Sequence, residues 1–379
     1  MMTCKALQTG GTVAIVGAGP AGATMARLLQ KQGFSVKVFE RDASSTSRSQ
    51  GGSLDLRKDS GQRAVDKAGL SETFQQVSRS EAKDFKMLDS QGSVYPSGGA
   101  ETHEEAGPEI DRGDLRQLLL DSLAPGTVAW GHLVKDVYPA GGRWRLEFAE
   151  QAPAIADLVV GADGVGSRVR HRLTPIRPRY IGMAMLAANI RKELWRGSEI
   201  AEVLGEGSVM FAGGGKTIFV QRCSHDVILL YYSMKVAEDW PKSQGFTLDD
   251  SKSVLEAITT AYRDWSPKVM AMLTQIEEKF QRWPLFVMPP DYQWETQPGL
   301  AMIGDSSHAM PPFTGKGVNL ALLDALELAD ALTADPAASL TDAVAAFERS
   351  MQDRTRKEIG ECLEVGRNIY GIDLDLSRP

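Results

Sequence analysis

The chain has 379 residues, of which 42% are hydrophobic and 24% charged, a balance typical of a folded protein with a sizeable core. Its net charge of −7 disfavours nonspecific binding to nucleic acid, because phosphate repels an acidic surface. No apolar stretch is long enough to span a bilayer, and the scattered cysteines Cys4, Cys223 and Cys362 suggest neither a disulfide framework nor a metal cluster. We therefore expect a cytoplasmic protein that binds neither membrane nor nucleic acid.

The chain opens with the pattern of a βαβ unit. A short apolar strand is predicted over Thr12–Val16, followed by a turn at Gly17–Gly22. A helix over Ala23–Gln32 ends at Gly33, because glycine tolerates the conformation that closes a helix. A second strand follows over Ser35–Glu40. This order is typical of a domain that binds a nucleotide cofactor.

The centre of the chain has a different pattern. Four segments resemble strands separated by turns, and no long helices lie between them, so we predict an antiparallel sheet. These segments are Phe85–Tyr95, Met183–Ile190, Val209–Gln221 and Val227–Met234. Around them we predict short buried strands and helices, over Gly61–Ala68, Asp114–Leu123, Leu158–Val160, Leu300–Ile303, Val318–Leu332 and Thr341–Tyr370.

This order predicts an α/β fold in which a Rossmann-like cofactor domain is assembled from separate pieces around an inserted substrate domain. We expect the cofactor domain to comprise residues 1–80, 105–176 and 285–340. The substrate domain, built on the antiparallel sheet, comprises residues 81–104 and 177–284, and a long helix in residues 341–379 bridges the two. We expect the protein to be a monomer.

The turn after the first strand fits the pattern G-x-G-x-x-G. Gly17 permits the tight turn, Gly19 lets the backbone approach a pyrophosphate, and Gly22 lets helix and strand pack closely. Glu40 ends the second strand, where a carboxylate can accept both ribose hydroxyls of an adenosine and would repel a 2′-phosphate. The residues assigned to this contact are Gly17, Gly19, Pro20, Ala21, Gly22, Glu40 and Arg41.

Two further motifs resemble the fingerprints of flavoprotein hydroxylases, the class A FAD-dependent monooxygenases. Asp157–Arg170, with Asp163-Gly164 at its centre, is similar to the "DG" fingerprint. Gly304–His308, followed by Pro311–Asn319, is similar to the "GD" fingerprint. The three motifs follow one another in the order usual for the family, and the resemblance covers nearly the whole chain. It implies an FAD-binding domain of the aromatic-hydroxylase type.

The resemblance also implies roles for individual residues. Arg112 and Asp55 match contacts to FAD, and Arg48 matches an arginine assigned to NAD(P)H. At the final helix start the family usually has Gly-Gln-Gly, whereas this chain has Lys316, whose cation could stabilise reduced flavin or simply point to solvent. The further residues implied in cofactor binding are Asp163, Asp305, Pro312, Gly315, Gly317, Val318 and Asn319.

In this family the flavin carries the chemistry, so we assign no catalytic side chain and no metal ligand. The resemblance implies that NAD(P)H reduces FAD transiently and that O2 then forms a flavin C4a-hydroperoxide, which hydroxylates an electron-rich ring. The substrate is expected to be a polycyclic, phenolic or polyketide-like small molecule. It should lie between the flavin and the sheet, beside Phe313, Met210 and Phe219.

The tetracycline-inactivating flavin monooxygenases resemble this chain most closely, which implies antibiotic resistance as an alternative function. These enzymes bind tetracycline through a glutamine, an arginine and a histidine. In our alignment these three residues correspond to Val203, Val209 and Leu229. An apolar wall there disfavours tetracycline, unless Gln221 or Tyr231 rebuilds the polar contacts from other positions.

Two other functions remain open. Flavin-dependent halogenases need a Trp-x-Trp-x-Ile-Pro segment, which Trp283-Pro284 and Trp294 do not form. An FAD-binding protein without turnover is the non-enzymatic alternative, and a test of NAD(P)H oxidation would separate it from the enzymes.

Overall fold

The computed structural model describes residues 2–48, 50–79, 85–95, 107–190, 198–224, 227–276 and 279–376, and the statements below refer to these. Of the predicted segment 81–104, only residues 85–95 lie within them. The strands are β1 Thr12–Val16, β2 Ser35–Phe39, β3 Ser53–Asp55, β4 Phe85–Asp89, β5 Glu109–Asp111, β6 Val128–Ala129, β7 Val134–Ala140, β8 Arg143–Phe148, β9 Ala154–Ala156, β10 Leu158–Gly161, β11 Arg179–Asn189, β12 Ser208–Gly213, β13 Lys216–Arg222, β14 Ile228–Lys235, β15 Gln281–Val287 and β16 Leu300–Met302. The helices are α1 Cys4–Gly10, α2 Pro20–Lys31, α3 Gly61–Lys67, α4 Ser71–Val77, α5 Arg112–Asp121, α6 Arg170–Leu173, α7 Glu199–Leu204, α8 Ser251–Ala261, α9 Pro267–Leu273, α10 Asp305–His308, α11 Gly317–Ala334 and α12 Leu340–Tyr370.

A parallel sheet forms the first half of the fold, with strands in the order β16-β10-β1-β2-β6. Its central strand β1 is buried on both faces. Val13 and Ile15 pack into the cluster that contains α2 and α11, while Ala14 and Val16 pack against the sheet β7-β8-β9. Burial on both faces explains why β1 is a continuous apolar run. The predicted α/β fold with a Rossmann-like sheet is confirmed, whereas the sheet β7-β8-β9 was not predicted.

The second sheet has six strands in the order β15-β11-β14-β13-β12-β4. Four of its five pairings are antiparallel, as predicted, but β4 lies parallel to β12, which corrects the prediction of a purely antiparallel sheet. The segment Val209–Gln221 contains two strands joined by a turn at Gly214 and Gly215, both with positive φ. This turn lets β12 and β13 form a hairpin.

The two faces of the six-stranded sheet have different neighbours. Val209 and Phe211 of β12 point to the same face as Ile218 of β13, where they pack with residues of α8 and α9. The opposite face meets Gly52 and Ser53, at the start of β3, through Tyr231 and Gln221. Successive side chains of a strand alternate between these faces. The face toward β3 is therefore where a substrate could meet a cofactor.

The long helix α12 joins the two halves. Near its start, Glu348 accepts a hydrogen bond from Trp294 at 2.8 Å. At its end, the hydroxyls of Tyr370 and Thr217 lie 3.0 Å apart, which connects α12 to β13 of the six-stranded sheet. The helix predicted over Thr341–Tyr370 thus has nearly the predicted bounds, and the division of the chain into domains stays a prediction.

None of the helices described here is both long and apolar enough to cross a membrane.

Candidate cofactor and substrate site

The glycine turn after β1 has the shape that a pyrophosphate needs. A Cβ atom on Gly17, where φ is +102°, would lie 2.4 Å from the carbonyl oxygen of Ala162, and one on Gly22 would lie 2.0 Å from that of Gly17. Gly19, in contrast, faces open space. The helix α2 starts at Pro20 without a side-chain cap, so its first N–H groups are free to bind an anion. Ala21 lies in the same first turn.

Glu40 follows β2 and closes this turn. Its Oε2 accepts a hydrogen bond from the Ala18 N–H at 2.6 Å, and its Oε1 accepts one from the Asp42 N–H at 3.0 Å. A carboxylate has about four lone-pair sites, so two remain for ribose hydroxyls. The neighbouring Arg41 is exposed. The predicted ribose contact is compatible with this geometry, and it stays a prediction.

Arg116, which the sequence analysis missed, supports the same turn. Its Nε donates to the Ala18 carbonyl at 2.8 Å, its Nη1 donates to the Ser45 carbonyl at 3.0 Å, and its Nη2 lies 3.5 Å from Asp42. Burial lowers the pKa of Arg116, although carboxylates nearby oppose the shift. The available signal was an arginine one helical turn after Arg112, on the buried side of α5.

The carboxylate of Asp163 has an unused acceptor. Its Oδ2 accepts a hydrogen bond from the Arg168 N–H at 2.7 Å, whereas its Oδ1 is buried without a hydrogen-bond partner. Burial raises the pKa of this carboxyl, because the charged form is separated from water. Such an orphaned acceptor is what a hydroxyl of a bound cofactor would satisfy.

Asp305 is held at the surface by a buried ionic network. Gly304, with φ of +61°, donates its N–H to Asp324 at 2.8 Å, and the same carboxylate oxygen lies 2.5 Å from Nε2 of His308. Arg354 of α12 adds a second charge at 2.8 Å. Burial alone would lower the pKa of His308, but Asp324 raises it. This network fixes the turn, and the exposed carboxylate of Asp305 remains free for a ligand.

The second half of the "GD" motif forms the uncapped start of α11. Pro312 begins a single 3-10 turn that ends at Gly315, where φ is +66°. Helix α11 has no side-chain cap, so the N–H groups of Gly317 and Val318 are available to a ligand.

The side chain of Asn319 is engaged within the protein, whereas its predicted contact with FAD stays a prediction. Its buried side chain accepts from the Arg57 N–H at 2.8 Å and donates to the Asp55 carbonyl at 2.9 Å. The side chain is therefore committed to the end of β3. The Asp55 carboxylate forms an ion pair with Arg57 at 3.3 Å and faces Gly315, at 3.7 Å from its Cβ position. Asp55 thus lies beside the start of α11, in a position to share a ligand with it.

Lys316 forms ion pairs with α12 instead of pointing freely to solvent. Its Nζ lies 2.6 Å from Glu358 and 2.8 Å from Glu361, both on α12. Burial alone would lower the pKa of Lys316, but the two glutamates raise it. The expectation that Lys316 points to solvent is therefore corrected, whereas stabilisation of reduced flavin by its cation stays a prediction. Its charge is neutralised by α12, and it ties the start of α11 to that helix.

Three predicted substrate residues share the sheet face that meets the cofactor domain. Met210 lies opposite Phe219 on adjacent strands, and Phe219 lies opposite Tyr231. The rings of Phe219 and Tyr231 are stacked, 6.3 Å apart at 23°. Leu229 lies on the same face, 3.1 Å from the Cβ position of Gly52. The face is thus largely aromatic and apolar.

Two predicted substrate residues lie elsewhere. Val209 is fully buried in the core on the opposite face of the sheet, because it neighbours Met210 in the strand. Val203 lies on α7 and packs against the same core. Neither lines the face toward the cofactor domain, so the prediction that they form the substrate wall is wrong.

Three residues remain to be placed, namely Phe313, Arg48 and Trp283. Phe313 packs on α12, with its ring 4.7 Å from that of Tyr370. Arg48 forms an exposed ion pair with Asp42 at 3.0 Å. Trp283, which the sequence analysis did not assign to the site, lies 3.7 Å from the Cβ position of Gly51, and its Nε1 is buried without a partner. No signal in the sequence pointed to Trp283, because its position opposite the glycine segment is visible only in the structure.

A family model described as an FAD binding domain matches residues 11–124 and 291–339, which include the glycine turn, Glu40, Asp305 and the start of α11. Over these two segments the chain is therefore similar to an FAD binding domain. Among curated proteins, the chain is 29% identical over 411 residues to the monooxygenase asqM of Emericella nidulans, covering 91% of this chain and 92% of that protein. It is 28% identical over 353 residues to the 6-hydroxynicotinate 3-monooxygenase of Pseudomonas fluorescens, covering 91% and 88%.

The structure is also similar to the crystal structure of the tetracycline destructase Tet(51), with a TM-score of 0.71 at 20% identity over 95% of this chain and 91% of that one. At this identity the similarity supports the fold alone. The family model and the curated relatives confirm the resemblance to FAD-dependent monooxygenases.

Proposed function

We propose that this protein uses NAD(P)H and O2 to hydroxylate a polycyclic, phenolic or polyketide-like small molecule. The observation that carries the proposal is the aromatic and apolar sheet face formed by Met210, Phe219 and Tyr231, which lies against the glycine segment of the FAD-binding half. A flat ring can bind such a face by burial of apolar area, at roughly 25 cal/mol per Å². The names of the curated relatives, all monooxygenases in the two cases above, support the reaction type.

FAD, when bound, supplies the electron transfer and the oxygen activation, and the protein supplies binding and orientation. The uncapped N-terminus of α2 and Glu40 would hold the pyrophosphate and the adenosine ribose. Asp305 and Asp163 would accept hydrogen bonds from hydroxyl groups of the cofactor. The uncapped start of α11 offers N–H groups and a positive dipole end to a flavin edge that gains negative charge on reduction.

The residues of the sheet face favour a ring with few polar groups. Gln221 already uses one N–H and one lone pair of its amide on the backbone of Ser53, which leaves it less to offer a substrate. Burial raises the pKa of Tyr231 to about 12, so its phenol stays neutral, and its oxygen already accepts a hydrogen bond from Gly52. A polar substrate group left without a partner costs about 1–3 kcal/mol. Tetracycline, with several enol and amide groups, is therefore disfavoured for reasons other than Val203 and Val209.

A substrate screen tests this proposal. The purified protein, supplied with FAD, is mixed with NADH or NADPH and with phenols, quinolones, polyketides and tetracyclines in turn, and the loss of absorbance of the reduced nicotinamide is followed. We expect one of the less polar aromatic classes to accelerate the oxidation and to yield a product heavier by one oxygen atom. If no compound accelerates it and no oxygenated product forms, the proposal is wrong and the protein binds FAD without turnover.

A further inference from the structure

The sheet holds the segment before β3 by hydrogen bonds from two side chains. Gly52 donates its N–H to the hydroxyl oxygen of Tyr231 at 2.9 Å. Ser53 donates its N–H to Oε1 of Gln221 at 2.9 Å, and Nε2 of Gln221 donates to the Ser53 carbonyl at 3.2 Å. The amide of Gln221 thus pairs with the Ser53 backbone as a neighbouring strand would. Both side chains belong to the face on which we place the substrate.

The contact is close, so a side chain at position 52 would displace both groups. A Cβ atom on Gly52 would lie 2.5 Å from Oε1 of Gln221 and 2.8 Å from the hydroxyl oxygen of Tyr231. On the other side, the Gly52 carbonyl accepts the N–H of Arg112 at 2.9 Å. The peptide at Gly52 is therefore held between the sheet and the start of α5.

The same segment continues into the predicted flavin cradle. Two residues after Ser53, the Asp55 carbonyl accepts Nδ2 of Asn319 at 2.9 Å, and Asn319 lies in the first turn of α11. Unbroken contacts therefore lead from Tyr231 and Gln221 through β3 to the helix start that faces a flavin. A short strand bonded at both ends transmits a displacement, because packed elements are not freely deformable.

We propose that Gln221 and Tyr231 are positioning residues that set the distance between bound FAD and a ring on the sheet face, by fixing the segment Gly52–Asp55. Neither residue needs to touch the reacting atoms for this role. The inference rests on the proposed function, because it takes the start of α11 as the flavin-facing edge.

Hydrogen exchange tests whether the two side chains fix the segment Gly52–Asp55. Tyr231→Phe and Gln221→Met remove the hydrogen bonds while nearly preserving side-chain volume. Tyr180→Phe is the matched control, because Tyr180 donates to the Val236 carbonyl of the same protein at 2.8 Å and makes no hydrogen bond to residues 51–55. We expect deuterium uptake in the peptide covering residues 50–56 to accelerate about fivefold to tenfold in the two variants, with the β1 peptide unchanged.

The absorption and the reduction potential of bound FAD test the second part of the proposal, which is that this segment sets the position of the flavin. In FAD-saturated protein we expect the visible absorption of bound FAD and its reduction midpoint potential to shift in Tyr231→Phe and Gln221→Met but not in Tyr180→Phe. A purely structural role would leave both unchanged. Unchanged exchange in residues 50–56, or an unshifted flavin with faster exchange, overturns the inference. If no compound accelerates NAD(P)H oxidation by the wild-type protein, the proposed function is wrong instead. The exchange measurement separates the two failures, because it needs no substrate.

Discussion

Two carboxylates placed just after parallel strands, Glu40 and Asp305, are the side chains that we propose as the main contacts to the cofactor. Parallel strands bring their carboxyl ends to one edge of the sheet, so the residues that follow β2 and β16 lie at the same edge. Glu40 is 5% exposed and Asp305 is exposed. The first is thus built into the turn, whereas the second is presented to a ligand.

Asp305→Ala should weaken FAD binding without unfolding the protein. Loss of a charged acceptor costs about 1.5–3 kcal/mol, which corresponds to about 10-fold to 150-fold in Kd. FAD titration monitored by flavin fluorescence measures this. Asp249→Ala, a change at an exposed aspartate of the substrate domain, is the control and should bind FAD as the wild type does. Equal affinities of Asp305→Ala and wild type would refute the assigned role.

Glu40→Ala should weaken FAD binding and also release the Ala18 and Asp42 N–H groups. If Glu40 mainly binds ribose, FAD affinity falls by more than the stability of the FAD-free protein, each compared as a free energy. Thermal unfolding without FAD and FAD titration give the two values. A loss of stability as large as the loss of binding would show that Glu40 only supports the turn.

The pair His308–Asp324 should make stability depend on pH. The pKa of His308 is raised, so its contribution is fully present below the ordinary histidine pKa of about 6.5 and is lost as pH rises through the raised value. Asp324 stays ionised over this range, because His308 and Arg354 hold its pKa down against the effect of burial. Unfolding by urea should therefore show a larger difference between wild type and His308→Gln at pH 6 than at pH 9. A difference independent of pH would contradict a charged pair.

At the scale of elements, the sequence predicted strands and helices that have a continuous apolar pattern. It did not predict which face of the sheet a given side chain occupies. The strand β1 has the predicted bounds, and the helix α2 after the glycine turn begins at Pro20, three residues before the predicted start. Val209 and Met210 are both apolar neighbours in β12, and nothing in their own sequence decides which one faces the helices. A shift of one residue moves every side chain to the other face, so the alignment that selected Val209 selected the wrong face.

Side-chain contacts between residues that are distant in the chain could not be predicted from the sequence either. Lys316 and Asn319 were interpreted through the cofactor they were expected to meet. Their partners, Glu358 and Asp55, are distant in the chain and became visible only when α12 and β3 were placed. The motif itself was recognisable because its residues are contiguous, whereas the network that supports it is not.

Lys316→Gln tests whether this lysine acts on α12 or on flavin. Because the ion pairs with Glu358 and Glu361 are partly exposed, their loss should lower stability by no more than about 1 kcal/mol. FAD affinity and the reduction midpoint potential should match the wild type. A clear fall in the potential of Lys316→Gln would show that the cation acts on the flavin.

At the scale of the whole molecule, the six-stranded sheet meets Gly52 and Ser53 at the start of β3, and the long helix α12 joins the two halves of the fold. The apolar sheet face beside the proposed cofactor site predicts that tetracycline binds weakly. We expect NADPH oxidation in its presence to release mainly hydrogen peroxide, measured by a peroxidase-coupled assay beside mass spectrometry of the tetracycline. Near-stoichiometric conversion to a mono-oxygenated tetracycline would make antibiotic inactivation the preferred function.

The central claim is that the protein inserts one atom of O2 into a ring compound. The direct measurement is a reaction under 18O2 with NADPH, FAD and the compound that most accelerates oxidation, followed by mass spectrometry of the product. We predict a product heavier by one 18O atom, formed in proportion to the NADPH consumed and absent without FAD. A product that carries oxygen from water, or NADPH consumed with peroxide as the sole product for every compound that accelerates oxidation, would contradict it.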